Sequence, residues 1–246
     1  MRLSLVLLLA IVVSLLAGCR RPTRAAYMLT SPAFLVERST QDRPDDVVAP
    51  QVHVVYAVAS DGTDRRLDVD GTIARSVLAW NGWLARESGG GRIRLDTADG
   101  RLDVTFVRLR STEAEYASEG PYVRDRIERE LGLQAPHKMY AVYFDGPSMM
   151  SCGGSFWPPA KPGNVVALYL RGTPSGAPAC AENPFAANVD APGYLELAML
   201  HEVFHGLGAT AQCAPNHVSA GHVGDEARDL MYAGSQPWRP SWLDVG

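Results

Sequence analysis

Past residue 50 the apolar positions fall into two alternating rhythms. Residues 52–58 read Val-His-Val-Val-Tyr-Ala-Val, a β-branched and aromatic run closed by Asp61-Gly62, which predicts a strand. His53 within it reads as a hydrogen-bonded strand residue rather than a ligand. After Asp70-Gly71-Thr72 the period lengthens: Ile73, Val77, Leu78, Trp80 and Leu84 recur at helical spacing until Ser88 and three glycines stop them. Trp80 and Trp83 are expected in the core. Extended segments are expected at 92–97, from the alternation of Ile93 and Leu95, and at 102–109, from Leu102, Val104 and Phe106. A helix is expected over 122–131, with Val123, Ile127 and Leu131 on one side and Arg and Glu on the other. Two further strands follow at 139–144 and 165–170, closed by Asp145-Gly146 and Arg171-Gly172. A last helix, 194–205, carries Leu197, Ala198, Met199, Leu200 and Phe204, apolar enough to be buried, and ends at Gly206 and Gly208. This order predicts an α/β domain whose twisted mixed sheet packs against a long helix and a buried C-terminal one. The segments 148–163 and 173–193 are long, Gly/Pro-rich and without periodicity. Loops of that kind flanking one strand ahead of the last helix are expected to rim a cleft.

The first 50 residues behave differently. Arg2 precedes an apolar run over 3–17 that ends in Leu16-Ala17-Gly18-Cys19. The run suits a secretory signal better than a membrane span, which needs about 20 apolar residues. Its ending resembles the bacterial lipobox. The resemblance implies a signal peptide over 1–18, a lipidated Cys19 that anchors the mature chain to a membrane, and the bacterial cell envelope as its location. Arg20 stands where inner-membrane lipoproteins usually carry Asp, which points to the outer membrane if the host has one. Residues 20–50, with Pro22, Pro32, Pro44 and Pro50 and the charged cluster Gln41-Asp42-Arg43-Pro44-Asp45-Asp46, read as a tether. The domain is then 51–246.

Composition adds mainly exclusions. The 246 residues are 46% hydrophobic and 20% charged, enough for one core, and the formal net charge of -4 gives no electrostatic case for nucleic acid. A monomer is expected. Of the four cysteines, setting Cys19 aside leaves three in a compartment that permits disulfides. Cys152 and Cys180, both in loop sequence that a crosslink would order, are the favoured pair, with Cys213 left over.

The chemistry concentrates in His201-Glu202-Val203-Phe204-His205-Gly206-Leu207-Gly208. On a helix, residues four apart share a face, so His201 and His205 can present both imidazoles to one metal ion with Glu202 beside them. A catalytic zinc site takes three protein ligands and keeps one open position, so a third ligand must follow the turn. The candidates are His222, Asp225, His217 and Glu226. These residues resemble the metzincin clan of zinc proteases, whose pattern is HExxHxxGxxH followed by a tight turn containing Met. His201, Glu202, His205 and Gly208 match its first four fixed positions, and Asp229-Leu230-Met231-Tyr232 looks like the Met-turn. The position three after Gly208 is Ala211, which cannot ligate, so a loop over 209–221 looks inserted before the third ligand. A looser likeness to bacterial secreted members of the clan rests on Ala214-Pro215 and Gly221-His222-Val223-Gly224-Asp225. His222 ranks first, since an imidazole matches the other two and flanking glycines let the backbone approach. Asp225 ranks second, as ligand or as acceptor for His222, and His217 third. Glu226 would ligate in a gluzincin-like arrangement, but 218–228 lacks the apolar stripe of the helix that arrangement needs.

The resemblance implies a Zn2+-dependent metallopeptidase acting on protein or peptide substrates, with Glu202 as general base, His201, His205 and His222 as ligands, and Met231 as a structural floor. Tyr232 directly follows Met231, whereas the clan's zinc-site tyrosine stands two residues after the Met, so no catalytic role is expected for it. Trp238 and Trp242 are expected to cap the lower core. The competing expectation is a surface lipoprotein that is zinc-stabilised but does not turn over, binding envelope or host partners.

Overall fold

A computed structural model describes residues 37–159, 161–233 and 238–244. The expected signal peptide, the expected lipidation site Cys19 and the first part of the expected tether lie outside these residues. Among the described residues no helix is long and apolar enough to cross a membrane.

Strand β1 (Gln51–Val58) is buried along its whole length, as a central parallel strand covered on both faces must be. It pairs in parallel with β4 (Val104–Arg108) on one side and β5 (Lys138–Ser148) on the other. β7 (Val165–Gly172) adds a fourth parallel strand, and β6 (Gly153–Gly154) closes the sheet as a short antiparallel edge, giving the order β4-β1-β5-β7-β6. The sheet is thus twisted, mixed and mostly parallel, within an α/β architecture.

Alternation along β1 sends side chains to two cores. Val52, Val54, Tyr56 and Val58 meet helix α1 (Thr72–Glu87) and helix α4 (Tyr194–Gly206) on one face. Val55 and Ala57 meet Tyr116 of α2 (Glu113–Ser118) and Val123 and Ile127 of α3 (Val123–Leu131) on the other. Trp80 and Trp83 are buried as expected, and the Trp80 indole N–H donates to the Tyr143 hydroxyl at 3.2 Å, so a large apolar group enters the core with its polar atom satisfied.

Several expectations change. The segment 92–97 does not form a strand of its own. Only Leu95 bridges to Val52, and Thr97–Ala98 (β2) folds onto Arg101–Leu102 (β3) as a small hairpin. The expected strand over 102–109 is therefore split at Asp103, which is 1% exposed and pairs with Arg43. β5 runs through Asp145-Gly146 to Ser148, with an irregularity between Phe144 and Pro147 taking up the turn-forming sequence.

The described part of the supposed tether, 37–50, is fixed to the domain. Arg38 pairs with Asp64 and Asp68 and stacks 3.9 Å above the Phe106 ring, Ser39 bridges to Thr105, and Asp42 and Asp45 both reach the Lys138 ammonium. The cluster that looked solvated in isolation has its counter-charges far along the chain. Lys138 also holds Asp96, which accepts from His53 Nδ1 at 2.7 Å, while Thr105 Oγ1 lies 2.9 Å from His53 Nε2. His53 is thus a hydrogen-bonded strand residue, and the acids around it are neutralised by Lys138 and Arg43.

Trp238 packs on the core, but Trp242 is 49% exposed and contributes mainly its backbone, so only the first caps the core as expected. Cys152 and Cys180 form the disulfide, and Cys213 is free and exposed.

Candidate metal centre

Helix α4 starts where the buried Glu196 carboxylate accepts from the Gly193 N–H at 2.9 Å and the Ala186 N–H at 3.2 Å, which ties the preceding loop to the helix. The helix is surrounded by protein on most sides, consistent with its apolar sequence, and His201 and His205 follow one another by a single turn. It ends at Gly206, and Gly208 turns the chain away with φ +79°. The chain after Gly208 then returns as a two-strand ribbon, β8 (His217–Ser219) and β9 (His222–Val223), which delivers His222 to the pair.

His201 Nε2 and His205 Nε2 lie 3.0 Å apart, and His222 Nε2 lies 3.2 Å from each. Three nitrogens bound tetrahedrally to zinc at about 2.0–2.1 Å stand about 3.3 Å from one another. The observed triangle has that size. His201 Nδ1 meets the Leu230 carbonyl at 2.7 Å and His222 Nδ1 meets the Ser219 carbonyl at 3.1 Å. A carbonyl only accepts, so both Nδ1 atoms carry the proton and both Nε2 atoms present bare lone pairs toward each other. Among the described residues, His205 Nδ1 is buried without a hydrogen-bond partner. Whichever nitrogen of His205 holds its proton, at least two lone pairs converge on one point. A metal cation satisfies this donor set.

A proton does not substitute for it near neutral pH. Burial lowers the His201 pKa to about 4, against the opposing Leu230 hydrogen bond, and burial with the neighbouring His201 and His222 lowers that of His205 to about 2. Burial lowers His222 as well. Glu202 stands on the same helix at the cleft, where burial raises its carboxyl to about 8 with the Lys161 charge opposing.

The other candidate ligands lie elsewhere. Asp225 is exposed, Glu226 is engaged by Arg228, and His217 stacks on Trp157 at 5.7 Å between ring centroids. None belongs to the three-histidine group, which has no fourth His, Cys, Asp or Glu among the described residues. Gly221 reaches its place with φ +80°, and a Cβ there would lie 2.9 Å from His205 Nδ1, so the ribbon can approach only through a glycine.

His201 and His222 open onto a cleft of about 310 Å³, with His205 buried behind them. Met150 to Gly153 and Pro174, Ser175 and Ala177 form one lip, so both irregular segments do rim it, and Tyr194, Tyr232 and Trp238 line the remainder. Three contributors were not anticipated from the sequence. Gly153 approaches Glu202 so closely that a Cβ would lie 2.4 Å from Oε1, Ser155 Oγ donates to the Glu202 carbonyl at 2.9 Å, and the Trp238 ring lies 5.6 Å from that of His201. No periodicity marks any of them.

Comparison with known proteins adds little to this geometry. No family model matches the chain, and no curated protein matches it. Among solved structures, archaemetzincin from Methanopyrus kandleri is similar at 14% identity and a TM-score of 0.37, over 74% of this chain and 82% of that one. OgpA from Akkermansia muciniphila is similar at 16% identity and a TM-score of 0.40, over 88% of this chain and 63% of that one. Likenesses this distant leave the α/β fold to rest on the sheet order and helices described above.

Proposed function

We propose that the chain is a zinc-dependent metallopeptidase of metzincin-like organisation that hydrolyses peptide bonds of protein or peptide substrates at the bacterial cell envelope. The observation that carries the reading is the convergence of His201, His205 and His222 Nε2 at 3.0–3.2 Å beside Glu202, open to a cleft. A bound zinc ion would be held by these three imidazoles and would supply Lewis acidity to the reaction. The metal-free value near 8 would be brought down by the charge of a cation held beside it, and in its carboxylate form Glu202 accepts a proton from the attacking water and returns it to the leaving amine. β6 is the outermost strand and Gly153 lines the cleft, so an extended peptide can lie beside the sheet edge with its scissile carbonyl near Glu202. Cys19 and the apolar run before it support export and lipid anchoring, and the Cys152–Cys180 disulfide suits an oxidising compartment.

The test is stoichiometric zinc in the purified protein, cleavage of a broad peptide library that a chelator abolishes, and a Glu202→Ala variant that keeps its zinc but loses cleavage. Absence of zinc, or cleavage by Glu202→Ala, overturns the reading. A zinc-stabilised lipoprotein without turnover would show zinc and no cleavage; against it stand the general base in place and a ligand group of three, where structural zinc sites usually close with four. Anchoring is tested by labelled fatty acid, which a Cys19→Ser variant should fail to incorporate.

A further inference from the structure

The turn over residues 229–232 touches His201 and the residue that follows His222 without contributing a ligand. The Leu230 carbonyl accepts from His201 Nδ1 at 2.7 Å. One residue on, the Met231 carbonyl accepts from the Val223 N–H at 2.9 Å and the Val223 carbonyl accepts from the Ala233 N–H at 3.0 Å, which fixes the strand that presents His222. What fixes the turn is Asp229, 2% exposed. Its Oδ1 accepts from the Met231 N–H at 2.6 Å and its Oδ2 from the Asp244 N–H at 2.9 Å, while its own N–H donates to the Glu226 carbonyl at 3.0 Å and the Leu230 N–H donates to Trp242 at 3.0 Å.

Two donors aimed at two oxygens of one side chain require a carboxylate. An Asn offers one acceptor and places an amide N–H against the second donor. The charge is otherwise unfavourable, since burial raises this carboxyl and the charged neighbours acting on it, Asp244 and Asp225, are of like sign.

Resting on the reading of the three histidines as a metal site, we propose that Asp229 is a positioning residue that sets the tautomer and orientation of His201 and the placement of His222 before any metal arrives. It touches neither substrate nor metal, and it acts through the backbone of residues 230, 231 and 244. Partners that orient a metal-binding imidazole in this way typically change metal affinity by about 10- to 100-fold when removed.

The experiment compares the full-length wild type with Asp229→Ala and Asp229→Asn by zinc competition titration, by the visible spectrum of the cobalt(II)-loaded protein, and by nitrogen NMR of the histidines in the metal-free protein. Zinc affinity should fall by about 10- to 100-fold in Asp229→Ala and by less in Asp229→Asn, which keeps one acceptor, with a changed cobalt spectrum in both. Ile127→Ala, on the opposite face of the sheet, should lower stability while leaving both readouts at wild-type values. The metal-free wild type should show His201 protonated at Nδ1. Unchanged zinc affinity and cobalt spectrum in a folded variant overturn the proposal. Should neither variant fold, a wild-type His201 protonated at Nε2 overturns it alone. Peptidase activity enters none of these readouts, so a failure of the catalytic reading would be seen separately.

Discussion

The closest approach in the cleft gives the sharpest test of its chemistry. Gly153 lies on the edge strand against Glu202, and a Cβ built there falls 2.4 Å from Oε1, 2.8 Å from Cγ and 2.9 Å from Cδ. Ordinary contact begins near 3.4 Å, so in Gly153→Ala the carboxylate must move by about 1 Å. The obstructed atoms are the far end of a flexible side chain and Gly153 is not in the left-handed region, so the sheet should accommodate the methyl while Glu202 swings aside. A displacement of about 1 Å in a catalytic group can cost on the order of 100-fold in rate, about 2.7 kcal/mol of barrier. The expected result is a kcat lower by about 100-fold with wild-type zinc content and a stability change within about 1 kcal/mol. Steady-state kinetics on a fluorogenic peptide, with metal analysis and urea unfolding of the same preparation, measure all three. Wild-type kcat in a zinc-loaded Gly153→Ala protein would refute the assignment of Glu202 at that position as the base.

Other consequences are structural. Reducing the Cys152–Cys180 bridge, which spans 28 residues, should lower stability by about 3–4 kcal/mol in urea unfolding, as loop-closure entropy predicts. Glu196→Ala leaves the Gly193 and Ala186 N–H groups without their acceptor and should cost about 1–3 kcal/mol, with faster proteolytic nicking within 183–193. Lys138→Met strands the acids it holds and should cost about 3 kcal/mol at neutral pH. Burial opposes the Lys138 ammonium, but Asp42, Asp45 and Asp96 outweigh it and raise its pKa, so its contribution is complete below 10.5 and is lost as pH rises further. Burial likewise opposes the Asp96 carboxylate, yet His53 and Lys138 hold it below 3.8, so its contribution is present above that value and lost on further acidification. The stability gap between wild type and Lys138→Met, followed by chemical denaturation, should therefore narrow at both extremes of pH and not between them.

What the sequence disclosed follows from the range of each interaction. β1, α1 and α4 carry apolar periodicity over many residues, and His201, Glu202 and His205 are placed by one turn of helix, so local pattern sufficed. Helix α2 escaped because only Tyr116 marks its core face, although Thr112 and Glu115 form a capping box that announces its start. β6 consists of two glycines and carries no side-chain pattern at all, yet it forms the edge of the sheet at the cleft. Residues 37–50 look like a solvated linker in the sequence because their partners are distant along it: Lys138 is 96 positions from Asp42 and Asp103 is 60 positions from Arg43. Its imidazole and flanking glycines single out His222 in the sequence, but only the ribbon of β8 and β9 shows how it meets His201 and His205. Asp229 was visible as part of a turn, while its two hydrogen bonds required the fold.

The crosslink has a consequence for what the cleft can admit. Cys152 lies on the lip formed by 150–153, and its bond to Cys180 fastens that lip to the loop carrying Pro174, Ser175 and Ala177. That side of the slot is therefore held stiff, and a polymer lying along it must supply the pliancy that this lip lacks. A residue within a stable helix or sheet reaches such a slot only after its own hydrogen bonds open, and the free energy of that opening belongs to the substrate. On the proposed peptidase reading, where the cut falls is then decided largely by which stretches of the target fray on their own, its tails and unsupported loops, before any pocket has read a side chain.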